Sequence, residues 1–267
     1  MTAITVESEV IGMKTPTIEQ VHSHASVRAY KPDPVAANLI EAVVGAGQRS
    51  STSSNLQVYS VVAVQDVERR TCLAELCGDQ KHIVEAPVFL AWCADLSRLE
   101  RVCQSRGYQQ VTTYLESFLV AVVDAAVAMQ TAALAAESLG MGICYIGGIR
   151  NQPEQVIELL GLPRLVFPVS GMTLGWPAIE PVVRPRLPLR AVLHWERYDV
   201  SGEAQALEEY DRAMVETGIY RGRQVPTPGR EAEMEDYGWL EHSARRVSKP
   251  TRTGLRQMVE QRGFGLK

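Results

Sequence analysis

An α+β fold, built as a three-layer α/β/α sandwich, is what this sequence predicts, and three observations predict it. Segments with helical and strand-like periodicity alternate through most of the 267 residues. Two early strand-like segments are β-branched or almost wholly apolar, the second as a strand covered on both faces should be. A long Ala-rich segment then supplies a helix apolar enough to lie against such a sheet. One central sheet with helices on both sides satisfies all three.

The elements come in this order. Residues 17–23 form a short helix behind Pro16, and residues 34–48 a second, with Leu39, Ile40, Val43 and Val44 on one side. Residues 57–64 (QVYSVVAV) are a strand, 67–77 a helix and 86–94 (APVFLAWCA) a buried strand. The long helix spans residues 111–139. A glycine-punctuated strand (142–149), a Pro-bearing helix (152–160) and two more strands (166–174 and 191–196) complete a sheet of about five. Beyond Asp199 the character changes: a charged helix (202–215), a segment rich in Gly, Pro and charge that reads as a mobile loop (222–236), and a basic helix (239–263) interrupted by Pro250. The chain thus divides into a flexible extension (1–15), a core (16–199) and a C-terminal excursion (200–267).

Composition excludes several functions. Hydrophobic residues at 46% and charged residues at 22% are ordinary for a soluble globular protein. A net charge of -4 argues against nucleic-acid and anionic-membrane partners, which call for a basic surface. Residues 118–136 (FLVAVVDAAVAMQTAALAA) approach spanning length, but Asp124 near their centre costs about 3 kcal/mol on insertion scales. Five cysteines without CxxC spacing suit a reducing compartment, so a cytoplasmic location is expected. His22 and His24 lack acidic or Cys partners at metal spacing, and no metal is expected. No GxGxxG, GxxxxGK[ST], GxSxG or HExxH occurs, which removes the Rossmann, P-loop, α/β-hydrolase and zincin sites.

Three segments, in order, carry a resemblance. They are His24-Ala25-Ser26-Val27-Arg28-Ala29-Tyr30 with Pro34, Ser51-Thr52-Ser53-Ser54-Asn55-Leu56-Gln57, and Tyr145-Ile146-Gly147-Gly148-Ile149-Arg150-Asn151. The last continues through Leu162-Pro163 to Gly171-Met172-Thr173-Leu174-Gly175-Trp176-Pro177, and Arg184-Pro185-Arg186-Leu187-Pro188 is a further match. From about residue 17 to 198 the chain resembles the nitroreductase superfamily, within it the oxygen-insensitive nitroreductase A and flavin reductase P group.

The resemblance implies an intertwined homodimer with FMN at the interface, NADPH or NADH as reductant and a small-molecule electron acceptor. It assigns His24, Ser26, Arg184 and Arg186 to the FMN phosphate, a task guanidinium forks suit. It sets Arg28 beside flavin N1 and the C2 carbonyl, where a fixed cation favours the charge that reduction leaves. Thr52, Ser53 and Ser54 would come from the other subunit, and the Gln80 amide would meet the pyrimidine edge. Ile146 would pack on the ring, and Gly147 and Gly148 would let backbone N–H groups approach N5 and O4. Arg221 and Arg223, with Arg230 further on, would meet the 2′-phosphate of NADPH. Ala25 departs from the family, where a basic residue is frequent, and Arg184 stands where Lys is common.

The implied function is ping-pong, two-electron reduction of nitroaromatics, quinones or similar acceptors, with no side chain needed as acid or base. Two readings stand beside it: a flavin reductase serving a partner monooxygenase, and a flavin-binding sensory protein without turnover.

Overall fold

The structure is a computed structural model and describes residues 14–267. The extension expected over residues 1–15 lies, but for Lys14 and Thr15, outside the described residues. The chain forms two compact units, one of residues 15–182 with 252–267, the other of residues 183–251. The break falls ahead of Asp199, where composition changes, and the last sixteen residues belong with the first unit.

In the first unit α1 (Pro16–His22) is capped by the Thr15 hydroxyl, which accepts the Ile18 N–H, and α2 (Ala37–Gly47) comes next. Then come β1 (Tyr59–Val64), α3 (Val67–Leu76), α4 (Lys81–Glu85) and β2 (Val88–Asp95). α5 (Ser97–Ser105), absent from the expected elements, carries Leu99, Val102 and Cys103 at helical spacing. α6 (Leu115–Ser138) begins four residues later than expected, after an extended stretch. β3 (Gly142–Ile146), α7 (Pro153–Leu160) and β4 (Val166–Gly175) complete the layers.

The sheet order is β1-β2-β4-β3, antiparallel throughout. Period-2 alternation in β2 serves two cores. Val88, Leu90 and Trp92 pack with Ile40 and Val43 of α2 and Ala125, Ala128 and Ala132 of α6. Phe89, Ala91 and Cys93 pack with Leu73 of α3 and Val156 and Ile157 of α7. The alanines of α6 let α2 come close: a Cβ on Gly47 would lie 2.8 Å from the Ala128 carbonyl oxygen. The opposite side of α6 leaves Leu115, Leu119, Val123 and Val127 exposed, an i, i+4 stripe. Among the described residues α6 is the one helix long and apolar enough to cross a membrane; its buried alanines, among them Ala125, Ala128, Ala132, Ala133 and Ala136, pack into the core with the sheet and α2.

The second unit holds α8 (Glu203–Glu216), β5 (Gln224–Thr227), β6 (Arg230–Asp236) and α9 (Trp239–Val247); α10 (Leu255–Gln261) returns to the first unit, where Val259 and Phe264 are buried. Three expectations are corrected. Residues 222–236 are a β-hairpin rather than a loop: Pro228-Gly229, with Gly229 at φ 75°, forms its tip. Residues 191–196 form no strand, because Pro188 leads into a 3-10 turn (Leu189–Ala191) and residues 192–196 are mostly exposed, so the central sheet has four strands. The expected C-terminal helix is two helices separated at Pro250, since the residue before a proline is turned away from the helical region.

Candidate functional site

Residues 24–30 run as an extended ribbon beside β3, tied by the Val27 N–H to the Ile143 carbonyl at 2.8 Å. Gly142 makes the approach possible, because a Cβ there would collide with the Val27 side chain. Alternation then sorts the ribbon: Ala25 and Val27 are buried, while Ser26 and Arg28 are exposed. Ala25, the departure from the family pattern, is a small residue on the buried side.

Arg28 pairs with no carboxylate among the described residues. Its guanidinium lies against Cys144, whose thiol burial pushes up and Arg28 draws down. His82 is pushed down, by burial first and then by the Arg28 charge. Tyr30, pushed up by burial, donates to the Val27 carbonyl at 2.9 Å and meets the Thr173 hydroxyl at 2.7 Å. A cation without a counter-charge thus stands on a rigid edge.

β3 ends in the turn Gly147–Arg150, shorter than the strand expected to residue 149. The two glycines differ. A Cβ on Gly148 would run into the Cys77 carbonyl and lie 2.6 Å from Gln80 Nε2, so glycine is required there by internal packing. A Cβ on Gly147 would meet only Arg150 Nη2 at 3.5 Å. Gln80 Nε2 donates to the Cys77 carbonyl at 2.8 Å, as does Asn151 Nδ2 at 3.2 Å, which welds the turn to the end of α3. The Ile146 side chain is 0% exposed and packs in the core.

Thr52, Ser53 and Ser54 open a loop in which Ser54, Asn55 and Gln57 have φ of 48°, 56° and 52°, a strained run for non-glycine residues. Asp124 of α6 holds it. One carboxylate oxygen accepts the Ser53 N–H at 2.9 Å and the other the Val58 N–H at 3.2 Å. Thr52 Oγ1 is buried without a partner among the described residues. At the far end of α6, Glu137 accepts from His24 Nδ1 at 2.5 Å. Asp124 and Glu137 are thirteen residues apart on one helix, about 20 Å along its axis. The structure therefore does not bring Thr52–Ser54 to His24 within one chain.

The second unit carries the remaining arginines. Arg184 is half-buried, and Arg186 folds back to donate to the Arg184 and Pro185 carbonyls at 3.0 and 3.2 Å. Arg223 precedes β5 and stacks over Tyr237 at 5.8 Å, with Arg245 also 5.8 Å from that ring. Arg230 is bound to Glu233 at 2.9 Å. Arg221 is exposed and in no ion pair among the described residues.

Known proteins are similar to this chain in sequence and fold. Residues 21–176 match the nitroreductase family and residues 184–267 the nitroreductase family C-terminal domain. The chain belongs to the nitroreductase family. It is 38% identical to an FMN reductase [NAD(P)H] of Bacillus subtilis over 92% of this chain and 97% of the relative. It is 36% identical to an oxygen-insensitive NADPH nitroreductase of Salmonella typhimurium, over 95% and 100%. The structure of the NADPH:FMN oxidoreductase of Vibrio harveyi complexed with NAD+ superposes with a TM-score of 0.80 at 31% identity, covering 92% of this chain and 97% of that one.

Nitroreductase motifs led to the ribbon, the turn and the loop, but not to Asp124 or Glu137, the two acids of α6 that hold the loop and His24. An acid in an Ala-rich helix has no local pattern; the one available signal was that both stand in an otherwise apolar stretch.

Proposed function

We propose that this member of the nitroreductase family is an FMN-dependent NAD(P)H oxidoreductase that passes electron pairs to nitroaromatics, quinones or similar small acceptors, and that it works as a homodimer. The observation that carries the reading is the exposed Arg28 guanidinium, fixed beside the β3 edge without a carboxylate partner among the described residues. An exposed cation on the ribbon beside β3 suits a ligand that brings negative charge.

The residues present fit FMN. Ser26 and His24 offer donors for phosphate, Thr52 Oγ1 is a buried polar atom without a partner among the described residues, and Gly147 leaves its surroundings open. When bound, the flavin supplies two-electron chemistry, taking a hydride from the nicotinamide and returning two electrons to the acceptor. Arg28 would place positive charge where reduction leaves negative charge, and the β3 turn would hold the edge beside it. No side chain is assigned as acid or base.

Two features support the dimer. Ser53 is tied to Asp124 near the middle of α6 and His24 to Glu137 at its end, about 20 Å apart along the axis, a separation that suits their supply to one flavin from different chains. The apolar stripe Leu115, Leu119, Val123 and Val127 suits burial against a second copy.

The test is direct. Purified protein should be yellow, hold about one FMN per chain and bleach within seconds on adding NADPH under argon. A colourless protein that takes up no FMN on titration ends the proposal, and a yellow one that does not bleach is a flavin-binding protein without turnover. Rates with free FMN against a nitro compound separate the nitroreductase from a flavin reductase, the activity in the name of the Bacillus subtilis relative.

A further inference from the structure

We infer that Glu137 is a positioning residue: its carboxylate holds the His24 imidazole through Nδ1 and so presents Nε2 to the flavin phosphate. The inference rests on the reading of His24 as a phosphate ligand.

The geometry carries it. His24 Nδ1 lies 2.5 Å from Glu137 Oε1, and the carboxylate side chain is only 9% exposed. An ionised carboxylate only accepts, so Nδ1 carries the proton. Nε2 makes no hydrogen bond among the described residues, and the imidazole remains partly exposed. A phosphate oxygen needs a donor, so both ring nitrogens carry protons in the bound form, and Glu137 supplies the balancing charge.

Glu137 has no other task in view. Its second oxygen, Oε2, is buried without a partner among the described residues. The Tyr145 hydroxyl, which feels the Glu137 charge, donates to Gln130 Oε1 at 2.7 Å. Burial and the Glu137 charge push that hydroxyl's ionisation up, as a nearby carboxylate should. A carboxylate retained for packing alone would have both oxygens satisfied; this one keeps an unmade hydrogen bond and gives its other oxygen to a single histidine.

The test is a double-mutant cycle on the full-length protein, read by FMN dissociation constants, melting temperatures and the imidazole 15N shifts of His24. Glu137→Gln should weaken FMN binding roughly tenfold, the worth of one charge-assisted hydrogen bond. His24→Ala should weaken it at least as much, and the double variant no further. In the apoprotein His24 should carry its proton on Nδ1, and in Glu137→Gln that preference should be lost. Additive losses, or unchanged FMN affinity in Glu137→Gln at wild-type melting temperature, overturn the inference. Should the variant fail to fold, the wild-type spectrum decides alone: an unprotonated Nδ1 overturns it. Wild-type protein that shows the Nδ1 proton yet binds no FMN sinks the functional reading instead.

Discussion

Asp124 Oδ1 lies 2.9 Å from the backbone nitrogen of Ser53, and its partner oxygen takes the N–H of Val58 at 3.2 Å. A buried acid of one helix thus closes both ends of a loop whose residues Ser54, Asn55 and Gln57 are left-handed. Asp124→Ala should cost about 1–3 kcal/mol, the usual penalty for leaving a buried donor unpaired. Hydrogen exchange at Ser53 and Val58 should accelerate while β2 stays protected. Unchanged exchange at those two amides would show that the loop holds itself.

The sheet and its two covering layers were legible because β2 is apolar from Val88 to Ala94 and the flanking helices keep their period. The hairpin was not: Pro228-Gly229 has the composition of a loop, and only the pairing of residues 224–227 with 230–236 shows it to be a turn. The same limit hid the two acids of α6. Asp124 meets Ser53 71 positions away and Glu137 meets His24 113 positions away, so their roles exist only once the chain is folded. Ile146 shows a related limit. A motif names a position without saying which side of the strand its side chain takes, and that side is the core.

Arg28→Ala should damage flavin reduction more than flavin retention. His24 and Ser26 remain to hold the phosphate, while the uncompensated charge beside the ring is lost. The midpoint potential should fall by on the order of 30 mV for each 1.4 kcal/mol of lost stabilisation of the reduced form. Spectroelectrochemistry on the loaded variant measures this, and a potential equal to that of the parent places Arg28 away from the ring.

The two glycines of the β3 turn should part company. Gly148→Ala forces a Cβ onto the Cys77 carbonyl and should destabilise the fold by about 1–3 kcal/mol. Gly147→Ala meets only ordinary contact with Arg150 and should melt close to the parent, yet lose flavin affinity if the ring approaches there. Urea unfolding and FMN titration on both variants separate the effects. Wild-type flavin affinity in Gly147→Ala moves the ring away from this turn.

Thiol chemistry offers a check independent of flavin. Burial pushes Cys77 and Cys93 up to about 12, so at pH 8 only about one in ten thousand of each is thiolate, the reactive form. Cys72 is exposed. Iodoacetamide at pH 8 should label Cys72 in the native protein and reach Cys77 and Cys93 only after unfolding. Fast native labelling of Cys93, read by peptide mass spectrometry, contradicts the buried placement of β2.

The contact expected with the NADPH 2′-phosphate calls for a free arginine in the second unit. Arg230 is held by Glu233, and Arg223 lies over the Tyr237 ring, leaving Arg221 exposed and without an ion-pair partner among the described residues. NADPH differs from NADH by a 2′-phosphate, and one charge-assisted contact to it is worth about 1.5–3 kcal/mol. A parent enzyme that uses Arg221 in this way should prefer NADPH by roughly 10- to 150-fold in kcat/KM. Arg221→Ala should remove most of that preference by slowing NADPH use and leave NADH use nearly unchanged. Arg223→Ala should instead disturb both reductants to a similar and smaller degree, because it gives up a stacking contact on Tyr237. Steady-state titrations of the three proteins with both reductants, at one ionic strength, decide the matter. Equal losses with NADPH and NADH in Arg221→Ala assign Arg221 to the architecture before β5, and an unselective parent enzyme removes the 2′-phosphate from the role of this arginine altogether.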